Sequence, residues 1–344
     1  GTFPTDDPDN TLYSDNIFDV AREHGWWSPE DGPLDFAKVY CPADVQKLRY
    51  CATRVWSLFR RAAPSQESRF DPAFHRGDPE AERYPLWITP DEKLSLRDVM
   101  DLMRDHYEGT AFDMTAGVDA GPYACPNRWR PMAWEVDGET YSWERPISTQ
   151  QTGFSMIAQS RAELPDPVGG CLWYGVDDTA TTVWFPLYSG VTAVPPSFAT
   201  GRLGSFSWDS AWWVFNVVAN YASLRYSLMI EDITAVQREL EDGFLAMQPA
   251  VDETAAKLYR QSPDLAIEYL TTYSVSAGER VTARWTELAE HLFTTYNDGY
   301  VREDGHAREV GYSEVWRREV LKLRPEQFQL RQAEGDTVTN VLPY

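Results

Sequence analysis

The sequence has few basic residues: 31 Lys and Arg stand against 53 Asp and Glu, which gives a formal net charge of −22. Binding to a phosphate backbone depends on clustered Lys and Arg, so this balance argues against a nucleic acid partner. Long apolar runs are also missing, because Asn216 and Asn220 interrupt the most apolar stretch, and a membrane span needs roughly 18 such residues. The sequence therefore predicts a soluble protein with no membrane partner. No signal peptide is visible, which leaves a cytoplasmic and an exported location both open.

Cysteine and histidine are scarce as well. The four cysteines are too widely spaced for a CxxC pair and are expected to be mostly buried thiols, although Cys41 and Cys51 could form a disulfide in an oxidising compartment. The five histidines are scattered, and the strings HExxH, GxxxxGK[ST], GxGxxG and GxSxG are all absent. The sequence therefore predicts neither a metal site nor a cofactor.

Helical periodicity dominates both ends of the sequence. Near the start it predicts helices at 14–24, with Ser14 as the cap, at 43–61, and at 96–106, with Ser95 and Asp98 in a capping box. After Asp209, an apolar stripe predicts one long helix towards Gly243, and further helices are predicted at 252–260 and 278–296.

Between these regions the pattern changes to that of strands, at 148–160, 170–174 and 181–188. Pro186 cannot donate to a ladder, so its strand should lie at an edge or a bulge. The predicted organisation is a helical and loop region at 1–139 that covers the sheet, sheet strands at 140–200, and a helical region at 201–344, all in one structural domain.

Several unusual polar strings stand out in order along the chain. They are RDHYEGT at 104–110, PNRW at 126–129, STQQTG at 148–153, DDTATT at 177–182 and NDGY at 297–300. With the apolar and aromatic strings between them, such as GGCLWYG at 169–175 and SAWWVFN at 210–216, they make nearly the whole chain resemble the cysteine dipeptidase family of the dipeptidase A and secernin type.

The resemblance implies an α+β fold with the αββα layering of N-terminal nucleophile hydrolases, of which this chain holds part of the sandwich plus added helices. It also implies hydrolysis of dipeptides by an N-terminal cysteine whose own α-amine accepts the thiol proton. Family members carry that cysteine before the residues that correspond to YSDN at 13–16. We therefore expect a missing N-terminal segment, or a second chain, as the partner that supplies the nucleophile, and we expect this chain alone to be inactive. A homo-oligomer is left open.

Within the resemblance, Thr149, Gln150 and Gln151 are the first choice for the oxyanion hole or for positioning the substrate. Related hydrolases place an asparagine on a comparable strand, and an acyl-transfer site needs donors aimed at the developing oxyanion. The alternative is a polar strand face that meets water.

Substrate-binding residues are predicted on three further strings. Asn127, Arg128 and Trp129 combine a charge with a ring, which suits a pocket but equally suits an Arg stacked on Trp. Arg161 is a candidate for a bidentate contact with a dipeptide carboxylate, or for bracing the cysteine segment.

Asp177 and Asp178 are adjacent, so in a strand their side chains would face opposite ways. In a hairpin loop, however, one of them could bind a substrate α-ammonium, and the alternative is that both are simply turn formers. Cys125 and Cys171 have no His or basic cluster nearby in sequence and are predicted to be buried thiols rather than nucleophiles.

Two other functions compete with the dipeptidase hypothesis. The many Trp and Asp residues would suit a carbohydrate-cleaving cleft with paired carboxylates, and a secernin-like relative without its nucleophile would be a non-catalytic binding or scaffold protein. A weaker alternative for the nucleophile is Thr2, exposed by loss of Gly1.

Overall fold

A computed structural model describes residues 11–41, 44, 48–78 and 80–329. The chain divides into two compact units, each built from two stretches of sequence. Unit 1 comprises 1–107 and 128–149, and unit 2 comprises 108–127 and 150–344. These boundaries do not coincide with the three consecutive regions expected from the sequence pattern. Thr2 lies outside the described residues.

Unit 1 consists of short helices and one hairpin. Its described helices and strands are α1 (Ile17–Glu23), α2 (Phe36–Tyr40), α3 (Thr53–Ala62), α4 (Pro72–His75), α5 (Leu96–Met103), β1 (Ala133–Val136) and β2 (Glu139–Ser142). Asp137 and Gly138 join the two strands with φ angles of 52° and 82°. A two-residue hairpin turn with positive φ at both positions favours the Asp-Gly pair, because glycine adopts this conformation without a steric penalty.

The predicted capping box at the start of α5 is confirmed. The Ser95 hydroxyl accepts from the Asp98 backbone N–H, and the Asp98 carboxylate accepts from the Ser95 backbone N–H. The cap predicted for α1 is wrong, since that helix begins after Asn16 rather than at Ser14. Ser14 instead lies one turn earlier, where its carbonyl accepts from the Ile17 backbone N–H.

Unit 2 holds the longer helices and the larger sheet. Its described helices and strands are β3 (Phe154–Ser160), α6 (Asp166–Gly169), β4 (Gly170–Val176), β5 (Phe185–Tyr188), α7 (Pro196–Ala199), α8 (Ala211–Ala222), α9 (Tyr226–Gln261), α10 (Pro263–Thr295), β6 (Tyr300–Glu303), β7 (His306–Glu309), α11 (Glu314–Leu323) and α12 (Pro325–Phe328). The mixture of helices and small antiparallel sheets confirms the α+β class.

The three-stranded sheet has the order β3-β4-β5 and is antiparallel throughout. Its register pairs Phe154 with Val176 and Tyr174 with Phe185. Because β5 lies at one edge, Pro186 sits where a missing backbone N–H is tolerated, as predicted. The first predicted strand starts too early, because β3 begins only at Phe154.

The predicted ends of the helices after Asp209 are also wrong. The long stripe breaks at 223–225, between α8 and α9, and α9 then continues through Pro249 for 36 residues. Ser262 separates it from the 33 residues of α10. In the core, the ring of Phe215 on α8 stacks on Trp285 of α10 at a centroid distance of 4.7 Å. Packing between helices outweighs the local cost of Pro249 and of the glycines inside them.

The expectation that most of the cysteines are buried is wrong, because Cys171 alone of the four is buried, and Cys125, also predicted to be buried, is half-buried. Cys41 and Cys51 are exposed and carry free thiols, so the disulfide considered for them is not formed. Cys171 on β4 is buried as predicted, and burial raises the pKa of its thiol to about 12. Among the described residues, no helix combines the length and the apolar composition needed to cross a bilayer.

Candidate functional site

The candidate site of unit 2 is the buried segment at 177–184 that joins β4 to β5. It contains a 3-10 turn at Thr179–Thr181, and every residue of the segment is buried. Buried backbone outside a ladder still needs hydrogen-bond partners, which here must come from side chains and neighbouring loops. The segment folds back on β4, since the Thr182 hydroxyl donates to the Val176 carbonyl at 2.6 Å.

Asp177 begins this segment in the left-handed region, with a φ of 68°. Its backbone N–H donates to the Gly153 carbonyl at 3.1 Å, and its Oδ1 accepts from Asn216 Nδ2 at 3.2 Å. Its other oxygen, Oδ2, is buried and has no hydrogen-bond partner among the described residues. A buried polar atom without a partner is rare in folded proteins, so it marks a place where a ligand would gain a contact.

The charge state of Asp177 follows from this environment. Burial, and then the neighbouring Asp178, raise the pKa of Asp177 to about 8, against the lowering effect of the hydrogen bond from Asn216. An approaching cation would reverse the balance, because an opposite charge close to a carboxyl group favours its ionised form. Asp177 is therefore suited to bind a cation such as an ammonium group.

Asp178 is buried too, but its carboxylate has a local task. Its Oδ1 accepts from the Ala180 backbone N–H at 3.3 Å and so caps the 3-10 turn. Asp178 also affects the pKa of Tyr226, the first residue of α9. Burial has the largest effect and the charges of Asp178, Glu108 and Cys125 add to it, so that the pKa of the Tyr226 hydroxyl lies well above 10. The Tyr226 hydroxyl thus stays neutral in an acidic neighbourhood.

Two side chains of α9 hold the rest of the segment. Gln237 Nε2 donates to the carbonyl oxygens of Ala180 and Thr182, at 2.7 and 2.8 Å. The Glu241 carboxylate accepts from the Trp184 backbone N–H at 3.2 Å. Both α9 side chains are almost fully buried, so this helix supplies polar partners to backbone groups that no strand satisfies.

Part of the string at 148–153 lies next to this segment. Thr149 belongs to unit 1, whereas Gln150 and Gln151 belong to unit 2. They precede β3 in a turn instead of lying on the strand, because the polar run lies where the chain crosses from one unit to the other. The exposed Gly153 follows these residues, and its carbonyl accepts the hydrogen bond from the Asp177 backbone N–H. Two of the predicted strings therefore meet here.

The string at 126–129 is divided between the units. Asn127, in unit 2, donates from Nδ2 to the Ser223 hydroxyl at 2.8 Å. Arg128, in unit 1, is buried with its guanidinium 5.6 Å from the ring centroid of Trp143, and Trp129 is 61% exposed. Arg128 therefore stacks on Trp143, while a role for these three residues in binding substrate remains a prediction.

Arg161 is engaged with groups of unit 2 itself. Its guanidinium forms an ion pair with Asp252 of α9 and donates to the Val168 carbonyl at 2.7 Å. The Tyr188 hydroxyl donates to the same Asp252 carboxylate at 2.6 Å. This network ties the end of β3 to β5 and α9. A contact with a substrate carboxylate stays a prediction, and it would compete with Asp252 for the guanidinium.

Sequence reasoning missed Asn216 and Gln237. In the sequence, Asn216 interrupts an apolar stretch and ends the SAWWVFN string, with no role assigned to it, and Gln237 lies one turn after Ile233 on the buried stripe of α9. A polar residue at a stripe position was the available signal, because burying an amide is costly unless it is hydrogen-bonded. Within the described residues, no group of three His, Cys, Asp or Glu side chains is arranged to hold a metal ion.

Comparison with known proteins gives the same family as the sequence strings. The family model for peptidase family C69 matches residues 1–239. A probable dipeptidase of Salmonella dublin is 27% identical over 202 residues, which cover 59% of this chain and 40% of that protein. Dipeptidase A of Lactobacillus helveticus is 22% identical over 243 residues, which cover 71% of this chain and 44% of that protein.

A probable dipeptidase of Latilactobacillus sakei is 22% identical over 289 residues, which cover 84% of this chain and 54% of that protein. The chain thus spans about half the length of the curated relatives it matches. The family match covers well over half of the chain and confirms the resemblance. The chain belongs to peptidase family C69.

Proposed function

We propose that this chain is part of a dipeptidase, in which a cysteine on a segment outside these residues attacks the peptide carbonyl. The observation that carries the proposal is the buried Oδ2 of Asp177, which has no partner among the described residues and lies beside a second buried carboxyl group. A dipeptide differs from an internal peptide by its free α-ammonium and carboxylate. A carboxyl group held ready for a cation meets the first of these requirements.

In the proposed reaction, the cysteine sulfur forms a bond with the carbonyl carbon while the α-amine of that cysteine takes the thiol proton. Donors near Gln150 and Gln151 would stabilise the negative oxygen that develops. The carbon–nitrogen bond then breaks, and the leaving amine takes the proton from the α-ammonium of the cysteine. Water hydrolyses the thioester and restores the thiol, so each dipeptide yields two amino acids.

The ammonium of the substrate would bind to Asp177 Oδ2, with Asn216 holding the other oxygen in place. Binding then requires an ionised carboxyl and a protonated amine. Because the pKa of Asp177 is about 8 and that of a free α-amine is also near 8, the KM for a dipeptide should fall as the pH rises towards 8 and increase again above it.

The test uses the intact gene product and alanyl-alanine as substrate, with N-acetyl-alanyl-alanine as the matched compound that lacks the ammonium. We expect hydrolysis of the free dipeptide, little hydrolysis of the acetylated one, and full inhibition by a thiol alkylator. Asp177→Asn should raise the KM for alanyl-alanine about tenfold, since a charged hydrogen bond is lost, whereas the exposed Asp209→Asn should not.

Three results would count against the proposal. Hydrolysis that survives alkylation would exclude a cysteine enzyme, and equal rates on the free and acetylated substrates would exclude an ammonium subsite. A complete lack of hydrolysis by the intact protein would favour the non-catalytic, secernin-like alternative.

A further inference from the structure

The two N–H donors of Gln237 are both committed to the segment that carries Asp177. A primary amide nitrogen has two hydrogens, and in Gln237 they reach the carbonyl oxygens of Ala180 and Thr182. Gln237 is 2% exposed, so water does not compete for these donors. The amide therefore fixes two backbone carbonyls that lie two residues apart.

These carbonyls flank the last residue of the 3-10 turn that Asp178 caps. On the far side of the turn, the Thr182 hydroxyl closes the loop by donating to the Val176 carbonyl. Asp177 is the residue between Val176 and the capped turn, and its φ of 68° is disfavoured for a residue with a side chain. Such a conformation persists only where the surroundings hold it.

The helix that carries Gln237, α9, contacts the segment through a second side chain as well. One turn further along α9, the Glu241 carboxylate accepts a hydrogen bond from the Trp184 backbone N–H. Two successive turns of the helix therefore bind consecutive parts of the segment. Gly175, at the other side, leaves no room for the loop to move inward. A Cβ at this position would lie 2.9 Å from Thr182 Oγ1 and 3.0 Å from the Val183 carbonyl oxygen.

We propose that Gln237 is a positioning residue for the ammonium subsite: its two hydrogen bonds hold the Ala180–Thr182 backbone so that the Asp177 carboxyl keeps its place. This inference rests on the proposed function, because it takes Asp177 as the group that binds the substrate amine. Gln237 itself touches neither the substrate nor the reacting atoms.

Gln248 provides a matched control on the same helix. It is also a buried glutamine, and its Nε2 donates to Gln159 Oε1 at 2.7 Å, on strand β3 rather than on the 177–184 segment. Gln237→Leu and Gln248→Leu therefore both remove a buried amide from α9, but only the first releases the segment that carries Asp177.

The experiment measures KM and kcat of the intact gene product for alanyl-alanine across pH 6 to 9. We expect Gln237→Leu to raise KM about tenfold, to change kcat less than about threefold, and to move the pH at which KM is lowest. Gln248→Leu should leave all three close to those of the unmutated protein. Gln237→Asn keeps the amide but shortens the side chain by one methylene, and should give a smaller rise in KM, of about threefold.

The outcomes separate the two proposals. If the unmutated protein hydrolyses alanyl-alanine and the two Leu variants have equal KM values and equal pH profiles, Gln237 has no positioning role. If kcat falls while KM stays constant in Gln237→Leu, the inference is again wrong, since the ammonium subsite is intact. If the unmutated protein has no dipeptidase activity, the proposed function fails and this inference fails with it. Should Gln237→Leu not fold, the KM of Gln237→Asn decides in the same way.

Discussion

Replacing Asp177 by Asn should change how the stability of the protein depends on pH. Asp177 loses its proton at about pH 8 in the folded protein, whereas an Asp in an unfolded chain does so near its ordinary value of 3.8. Between these values the folded state binds one proton more than the unfolded state. The free energy of unfolding therefore falls as the pH rises through this interval, and the contribution is fully present only below about pH 4.

The size of the effect follows from the interval. One pKa unit corresponds to about 1.36 kcal/mol, so the free energy of unfolding should fall by about 1.4 kcal/mol for each pH unit between pH 4 and pH 8. Over the whole interval the loss is on the order of 5 kcal/mol. In Asp177→Asn the amide does not titrate, and this slope should be absent.

The measurement is urea-induced unfolding, followed by tryptophan fluorescence, at several pH values between about 4 and 9. The 53 acidic residues make the absolute stability depend on pH in other ways, so the informative quantity is the difference between the two proteins. Asp91→Asn is the control. Hydrogen bonds from Ser65 lower the pKa of that exposed carboxyl group, so its contribution is lost only below about pH 4.

A constant difference between the unmutated protein and Asp177→Asn across pH 4 to 8 would refute the reasoning. It would mean that Asp177 ionises near its ordinary pKa in the folded protein, and that its Oδ2 is reached by water or by a cation already present. A slope of the expected sign in Asp91→Asn over the same interval would show that the comparison does not isolate the buried group.

Three further predictions concern the surroundings of this segment. Asn216→Leu removes the donor to Asp177 Oδ1, so the pKa of Asp177 should rise further and the interval of falling stability should extend above pH 8, as the same urea series would show. Asp252→Ala removes the buried carboxylate that pairs with the half-buried Arg161 and should lower the free energy of unfolding by about 3–5 kcal/mol, whereas Glu253→Ala, at an exposed ion pair, should change it far less. Gly175→Ala places a Cβ against Thr182 and Val183, and should cost about 1–3 kcal/mol by thermal unfolding; a stability equal to that of the unmutated protein would show that the loop can shift at no cost.

Local signals in the sequence predicted local structure well. The capping box of Ser95 and Asp98 depends on residues three apart, and it is present. The three strands at mid-chain were also identified, because alternation and β-branched residues act over a few positions. Pro186 lies on an edge strand for a reason that can be read from proline alone.

Long-range packing decided the features that were predicted wrongly. The stripe after Asp209 predicts one helix. In the structure, α8 ends at Ala222, and α9 begins at Tyr226 and continues through Pro249 to Gln261. Arg161 finds its partner Asp252 at a separation of 91 residues, which no local pattern reports. The strand predicted from residue 148 begins only at Phe154, because the polar residues before it belong to the passage between two units.

The candidate site shows why its two parts differ in how well they can be predicted. Asp177 and Asp178 form an unusual string, and such strings are visible in a sequence. Asn216 is half-buried within an otherwise apolar helix, and Gln237 lies on the buried stripe of α9, where a single polar residue is easily taken for an interruption of the apolar pattern. A buried segment without ladder partners, however, requires donors from whatever packs on it. A polar residue on the apolar stripe of a long helix, in a chain with a buried Asp- and Thr-rich segment, is therefore best interpreted as the donor that this segment needs.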